Sequence, residues 1–151
     1  MTVSNRLINL FFMTHRSLHK HMQEAKVMTS FSFLQFLALK YMSEAGPVRM
    51  KDIASFLSIT PASATSLVDG LAKAGLLART ADRNDRRIVR LRVTATGRKR
   101  LDATDTQAKR ELKRVFQKLD DTDRASLCDV LEKLSAILAD EKRSAPVRRD
   151  R

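Results

Sequence analysis

Between Leu7 and Met22 the apolar residues Leu7, Leu10, Phe11, Leu18 and Met22 recur at close to helical spacing, with Arg6, Arg16 and Lys20 set between them. That period predicts an amphipathic helix. Ser32 and Gln35 stand in the Ser-x-x-Gln arrangement, in which each side chain satisfies a backbone N–H that a helix start leaves open. A second helix is expected from there through Phe36, Leu37 and Leu39 to the stop at Gly46-Pro47. A short helix is predicted at about 51–57. Thr60-Pro61 then opens another over 61–74, because the threonine can cap it and proline loses no hydrogen bond at the first helical position; Gly75 stops it. Its inward stripe is Ala64, Leu67, Val68 and Leu71.

Beyond Gly75 the period becomes two. Strands are expected at about 76–80 and 88–93, with Val89, Leu91 and Val93 on one side and Arg90 and Arg92 on the other. Thr94 can cap a long helix through about Leu119, with the stripe Leu101, Ala108, Leu112, Val115, Phe116 and Leu119. Asp120, with Asp123 three residues on, opens a last helix whose stripe is Leu127, Val130, Leu131, Leu134 and Leu138. The order predicts a mainly α fold with a small β-hairpin wing, in which a helix-turn-helix and its wing lie between helices from both ends of the chain.

Charge changes the picture. The net charge is +12, and residues 79–100 hold nine Lys/Arg against Asp82 and Asp85, while residues 142–151 hold five against Asp150. Positive charge concentrated on one hairpin and one tail is the electrostatic footprint of a polyanion binder. With 151 residues and 43% apolar content the chain fits one domain, or one small domain with an accessory region. The single cysteine, Cys128, excludes an internal disulfide and a cysteine-cluster zinc site. Polar residues interrupt Leu10-Phe11-Phe12-Met13 before it reaches the length of a signal core or membrane span, so a soluble, cytoplasmic protein is expected.

Residues 48–93 resemble the winged helix-turn-helix of the MarR (multiple antibiotic resistance regulator) family of bacterial transcription regulators. The resemblance is carried by Lys51-Asp52-Ile53-Ala54-Ser55-Phe56-Leu57, Thr60-Pro61-Ala62-Ser63-Ala64-Thr65 and Leu71-Ala72-Lys73-Ala74-Gly75-Leu76. It continues through Asp82-Arg83-Asn84-Asp85-Arg86-Arg87 and Leu91-Arg92-Val93-Thr94 into Gly97. It implies an obligate homodimer whose intertwined helices come from both ends of each chain, a recognition helix in the major groove and a wing at the adjacent minor groove. The corresponding division is 1–28 as N-terminal dimerisation helix, 30–93 as DNA-binding domain, 94–142 as C-terminal dimerisation helices, and 143–151 as a basic, disordered tail. The implied function is that of a sequence-specific regulator, a repressor on a pseudo-palindromic operator of double-stranded DNA.

By the helical angle Ala62, Thr65, Ser66, Asp69 and Lys73 face outward on the 61–74 helix, with Ser63 on the flank. The expected DNA-binding residues are Thr60, Ala62, Ser63, Thr65, Ser66 and Lys73 there, with Arg83, Asp85, Arg86 and Arg87 on the wing. Family members often carry a basic side chain where this chain has Ser66 or Gly70, so hydroxyls and alanine methyls must do the base reading, and the bidentate arginine–guanine contact is missing from the front of the helix. Wing arginines suit a narrow, negative minor groove. Because anions beside DNA are costly unless paired, at least one aspartate of the wing is expected to hold a tip arginine in place. The resemblance points to Asp85 and Arg87 as central.

Phe11, Phe12, Phe31, Phe33 and Phe36 lie in the first quarter of the chain, where family members bind a small aromatic or lipophilic effector; Phe11, Arg16, His19 and Phe36 are the candidates, although plain packing accounts for any single phenylalanine. His15, His19 and His21 lack the acidic or cysteine partners a metal site needs, so no metal and no cofactor is expected. Cys128 reads as a small packing residue beside the last stripe. No glycine-rich phosphate loop and no nucleophile beside a base supports an enzyme. The competing expectation is a nonspecific or architectural nucleic-acid binder, favoured by the uncharged reading face.

Overall fold

The computed structural model describes residues 2–27, 29, 31–82 and 84–144, with the backbone alone for 142–144. Among these lie six helices and one hairpin: α1 (Val3–Glu24), α2 (Phe33–Ala45), α3 (Met50–Leu57), α4 (Pro61–Lys73), β1 (Leu77–Ala81), β2 (Val89–Val93), α5 (Ala95–Phe116) and α6 (Asp121–Ser144). The chain forms two compact units, divided within α5 after Glu111.

Local chemistry sets the boundaries in the first unit. Thr2 caps α1 through the Asn5 amide, so the helix starts four residues before its first regular apolar position, Leu7. At α2 the Ser32 hydroxyl accepts from the Gln35 N–H while the Gln35 side chain accepts from the Ser32 N–H at 2.9 Å, as the sequence pattern anticipates. Gly46 ends that helix at φ +79°, and Gly75 follows α4 at φ +71°, both in the region that disfavours a side chain. Leu39 and Met42 of α2, Ile53 of α3, Val68 and Leu71 of α4, Leu76 just before β1, Leu77, Leu91 and Val93 of the hairpin and Leu101 of α5 make one buried cluster.

The hairpin is antiparallel, with Leu77 opposite Val93, Arg79 opposite Leu91 and Ala81 opposite Val89. Val48, between α2 and α3, adds a bridge on the other edge of β2, exchanging hydrogen bonds of 3.1 and 2.8 Å with Leu91. That bridge protects the edge and ties the wing's base to the helices. Two expectations need correction. Val89, placed with Leu91 and Val93 on the buried side, is 49% exposed, because the hairpin has left the core by that point. The long helix expected through Leu119 ends at Phe116, and residues 117–119 form the turn into α6.

Each end of the chain leaves an apolar helix face uncovered. No residue of α1 is buried, and Leu7, Leu10, Phe11 and Phe12 stand at its surface. Near the C-terminal end of the first unit Gln107 Nε2 donates to the Ala25 carbonyl at 2.9 Å, and His21 Nε2 lies 3.7 Å from an oxygen of buried Glu111. In the second unit, Asp120 accepts from the Asp123 N–H at 2.8 Å and opens α6, and Arg124 donates to the Leu119 carbonyl at 2.9 Å. Val130, Leu131, Leu134, Ile137 and Leu138 are exposed along α6. Cys128 is exposed as well, so it is not the packed residue it was expected to be within one chain. Helix α6 runs two residues into the 143–151 segment; the disorder expected for the rest of that tail lies outside the described residues.

Candidate nucleic-acid interface

Helix α3 ends at Leu57 and is capped by Ser58, which turns the chain in the left-handed region at φ +54°, and the Ile59 N–H closes the turn on the Ala54 carbonyl at 3.0 Å. Two residues later α4 begins. Thr60 Oγ1 accepts from the Ser63 N–H at 3.2 Å and donates to Ser63 Oγ at 2.9 Å, with Pro61 at the first helical position. Ala64, Val68 and Leu71 are buried, which leaves Ala62, Ser63, Thr65, Ser66 and Lys73 exposed on the expected outward face.

The hydroxyls on that face differ in what they have left to offer. Thr65 donates its proton to the Pro61 carbonyl at 2.9 Å and so presents a methyl and an acceptor oxygen. Ser63 accepts from Thr60 and keeps its own proton to give. Ser66 makes no hydrogen bond from its side chain among the described residues, so it can donate or accept. Gly70 faces α2: a Cβ there would lie 3.1 Å from the Gln35 side-chain nitrogen, which would have to give by a few tenths of an ångström.

The wing is built around its two aspartates. Asp82 Oδ1 accepts from the Asn84 N–H at 2.9 Å and Oδ2 from Arg90 Nε at 2.6 Å. The Asn84 amide first, and then the Arg90 guanidinium, hold the Asp82 carboxyl below the usual carboxylate range. Asp85 Oδ1 accepts from the Arg87 N–H at 2.9 Å, and the Ile88 N–H closes on the Asp85 carbonyl at 3.0 Å. The expectation that an aspartate holds a tip arginine is thereby corrected for Arg86 and Arg87, the tip arginines among the described residues. The arginine held is Arg90 of the strand, two register steps from the tip and on the same face as Asp82, while Asp85 shapes the backbone of the turn. Arg86 and Arg87 are exposed and their guanidinium groups make no ion pair among the described residues. Arg83, the third expected arginine of the wing, lies outside the described residues.

Reading in sequence missed Arg90, although the hairpin parity that separates Arg90 and Arg92 from Leu91 also places Asp82 on their side. It also missed Arg79 of β1, whose Nη2 donates to Asp69 of α4 at 2.5 Å. The effector candidates are not brought together. Phe36 is 7% exposed in the core, stacked on Phe31 at 6.2 Å with Lys40 Nζ 5.9 Å from its ring centre, whereas Phe11 is 58% exposed and meets Phe12 edge-on. Arg16 and His19 are exposed on α1, and no ring contact, ion pair or hydrogen bond joins the four among the described residues.

A capped helix presented after a tight turn, beside a hairpin with Arg86 and Arg87 exposed at its tip, defines a winged helix-turn-helix of the DNA-binding class. A sequence model of the MarR family matches residues 31–89. The uncharacterized HTH-type transcriptional regulator YhbI of Bacillus subtilis (strain 168) is 30% identical over 127 residues, which is 80% of this chain and 82% of that one. A MarR family protein from Bacillus stearothermophilus has the same fold, with a TM-score of 0.74 and 20% identity over 92% of this chain and 99% of its own. So does BpsR of Bordetella bronchiseptica, whose DNA binding is regulated by 6-hydroxynicotinic acid, with a TM-score of 0.73 and 21% identity over 89% of this chain and 96% of its own. This chain belongs to the MarR family and is a DNA-binding transcription regulator, not an enzyme. Proteins of this family bind DNA as dimers. No helix among the described residues is long and apolar enough to cross a membrane.

Proposed function

We propose that this chain is a homodimeric, sequence-specific repressor that binds a pseudo-palindromic operator in the cytoplasm. Helix α4 enters the major groove, with Ala62, Ser63, Thr65 and Ser66 toward base edges and Thr60 and Lys73 toward the backbone. The wing enters the flanking minor groove with Arg86 and Arg87, and Asp85 keeps the turn that presents them. A methyl and uncharged hydroxyls suit thymine contacts and backbone anchoring, so affinity falls largely to the wing and A·T-rich flanks are favoured.

The observation that carries this reading is the contrast within the wing: Asp82 is engaged by Arg90 and an amide and Asp85 by an amide, while Arg86 and Arg87 remain without an ion pair among the described residues. Charge left uncompensated at the tip of an ordered hairpin is available to phosphate. Arg86→Ala and Arg87→Ala should each weaken operator binding and flatten the dependence of log K on log salt by about 0.9 for each phosphate that is no longer neutralised. Unchanged affinity and slope in both variants would take the wing out of the mechanism.

Dimerisation is assigned to residues 1–28 and 94–142. Apolar residues exposed in a row along α6, and again along α1, exceed what a monomeric surface ordinarily leaves in water. A small aromatic or lipophilic effector that binds better to a dimer with wrongly spaced α4 helices would release the operator. The regulation of BpsR, which has this fold, by 6-hydroxynicotinic acid supports such control.

A further inference from the structure

The outward face of α4 carries one acid. Asp69 lies one turn after Ser66 and one turn before Lys73, on the surface assigned to DNA. Arg79 reaches it from β1, with Nη2 donating to Asp69 Oδ1 at 2.5 Å and the two side chains 42% and 44% exposed. The register explains how: Arg79 is directly opposite Leu91, so it shares the hairpin face that turns toward the helices and not the face of Arg90 and Arg92.

An exposed ion pair of this kind contributes little to stability. A carboxylate alone on a surface that meets phosphates would be repelled by them. Neither folding nor simple attraction for DNA therefore accounts for Asp69. The guanidinium, however, presents five N–H donors in a rigid fork, and Asp69 engages it through Nη2, so among the described residues the rest of the fork is open to a second acceptor.

We propose that Asp69 and Arg79 form a specificity-determining pair for the DNA contact. Asp69 is a positioning residue that fixes the Arg79 fork at the edge of α4, where its open donors meet a backbone phosphate of the correctly docked site. The same carboxylate cancels one positive charge toward DNA docked in any other register. Nonspecific binding responds to net charge and little else, whereas a register-dependent phosphate contact needs a donor held in place. The pair thus lowers the first and preserves the second. This rests on the assignment of α4 to the major groove.

Operator and random-sequence duplexes, titrated over a salt series, test the pair through Asp69→Asn, Arg79→Lys and Arg79→Ala. Asp69→Asn restores one positive charge, so nonspecific binding should strengthen several-fold and its salt slope should steepen by about 0.9. Operator binding should not follow, and the specific-to-nonspecific ratio should fall at least about fivefold. Arg79→Lys keeps the charge without the fork, so nonspecific binding should hold while operator binding weakens; Arg79→Ala should weaken both. An unchanged or higher ratio in Asp69→Asn, or wild-type operator binding in Arg79→Lys, would overturn the proposal. Arg87→Ala run alongside separates the two levels. If it weakens operator binding while the ratio in Asp69→Asn is unchanged, the pair alone is refuted; if wild type itself shows no operator preference, the assignment of α4 fails with it.

Discussion

Gly97→Ala should be far more damaging than its single methyl suggests. Gly97 lies in the first turn of α5 against the chain segment that joins α4 to β1, and a Cβ there would stand 2.0 Å from the Leu76 carbonyl oxygen, 2.9 Å from its carbon and 3.0 Å from Val93 Cγ1. Ordinary C···O contacts begin at about 3.3 Å, so the backbone must open by more than about 1 Å. Three hydrogen bonds resist that movement: Thr94 N–H to the Leu76 carbonyl at 3.1 Å, Gly97 N–H to Thr94 Oγ1 at 2.9 Å, and Thr94 Oγ1–H to the Gly75 carbonyl at 2.7 Å. Overpacking costs about 1–3 kcal/mol, breaking two of these hydrogen bonds adds roughly 1 kcal/mol each, and the better helix propensity of alanine returns about 1 kcal/mol. The net loss is about 2–4 kcal/mol, or a fall in Tm of roughly 4–16 °C for a chain of this size.

Circular-dichroism melts at one fixed protein concentration measure this, since a dimer's Tm depends on concentration. Gly70→Ala is the internal control. Its Cβ meets only the end of the Gln35 side chain, at 3.1 Å, so that variant should be neutral or stabilised by up to about 1 kcal/mol. A Gly97→Ala melt within about 2 °C of wild type, or two variants that shift alike, would show that the α5 start is not seated against Leu76 as described.

Ser66→Ala should change sequence preference in a competition between operator variants while leaving the salt slope alone; a flatter slope would mean that its hydroxyl meets phosphate and not a base. Leu131→Asp puts a charge into the exposed apolar row of α6 and should yield a monomer by sedimentation with operator binding abolished, so an intact dimer would exclude that row from the interface. Asp105 lies between Lys109 at 2.5 Å and Lys40 at 3.1 Å; Lys109 first, and then Lys40, hold its carboxyl below the ordinary 3.8. A depressed carboxylate contributes stability above its unfolded value that is lost as pH falls through the folded one, so wild type should lose Tm more steeply than Asp105→Asn as pH falls below about 4. Parallel curves for the two proteins would show that this α2–α5 link does not govern acid stability.

Features set by neighbours three or four residues away were legible before the structure. The Ser32–Gln35 box, the Thr60-Pro61 start, the Asp120–Asp123 cap and the glycine stops all rest on local geometry, and the outward face of α4 follows from its buried stripe. What sequence left open depends on register and on packing between elements. Asp82 had four basic neighbours to choose from around the turn and takes Arg90, because hairpin parity puts that residue on its side. The Arg79–Asp69 pair and the Val48 bridge join segments that periodicity treats separately. Phe11 and Phe36 share a residue type and a plausible effector role, yet one stands in solvent and the other fills the core. Glu111, inside the run Lys109-Arg110-Glu111-Leu112-Lys113, reads as a solvated charge but is buried beside His21.

Selection of bound duplexes from a random DNA pool at near-physiological salt, followed by sequencing, tests the central claim most directly. A sequence-specific dimer that reads with α4 and anchors with its wing should enrich a two-fold symmetric motif, its half-sites about one helical turn apart and its flanks rich in A·T. Strong retention of DNA with no enriched motif would contradict that claim and leave a basic winged fold that binds without reading.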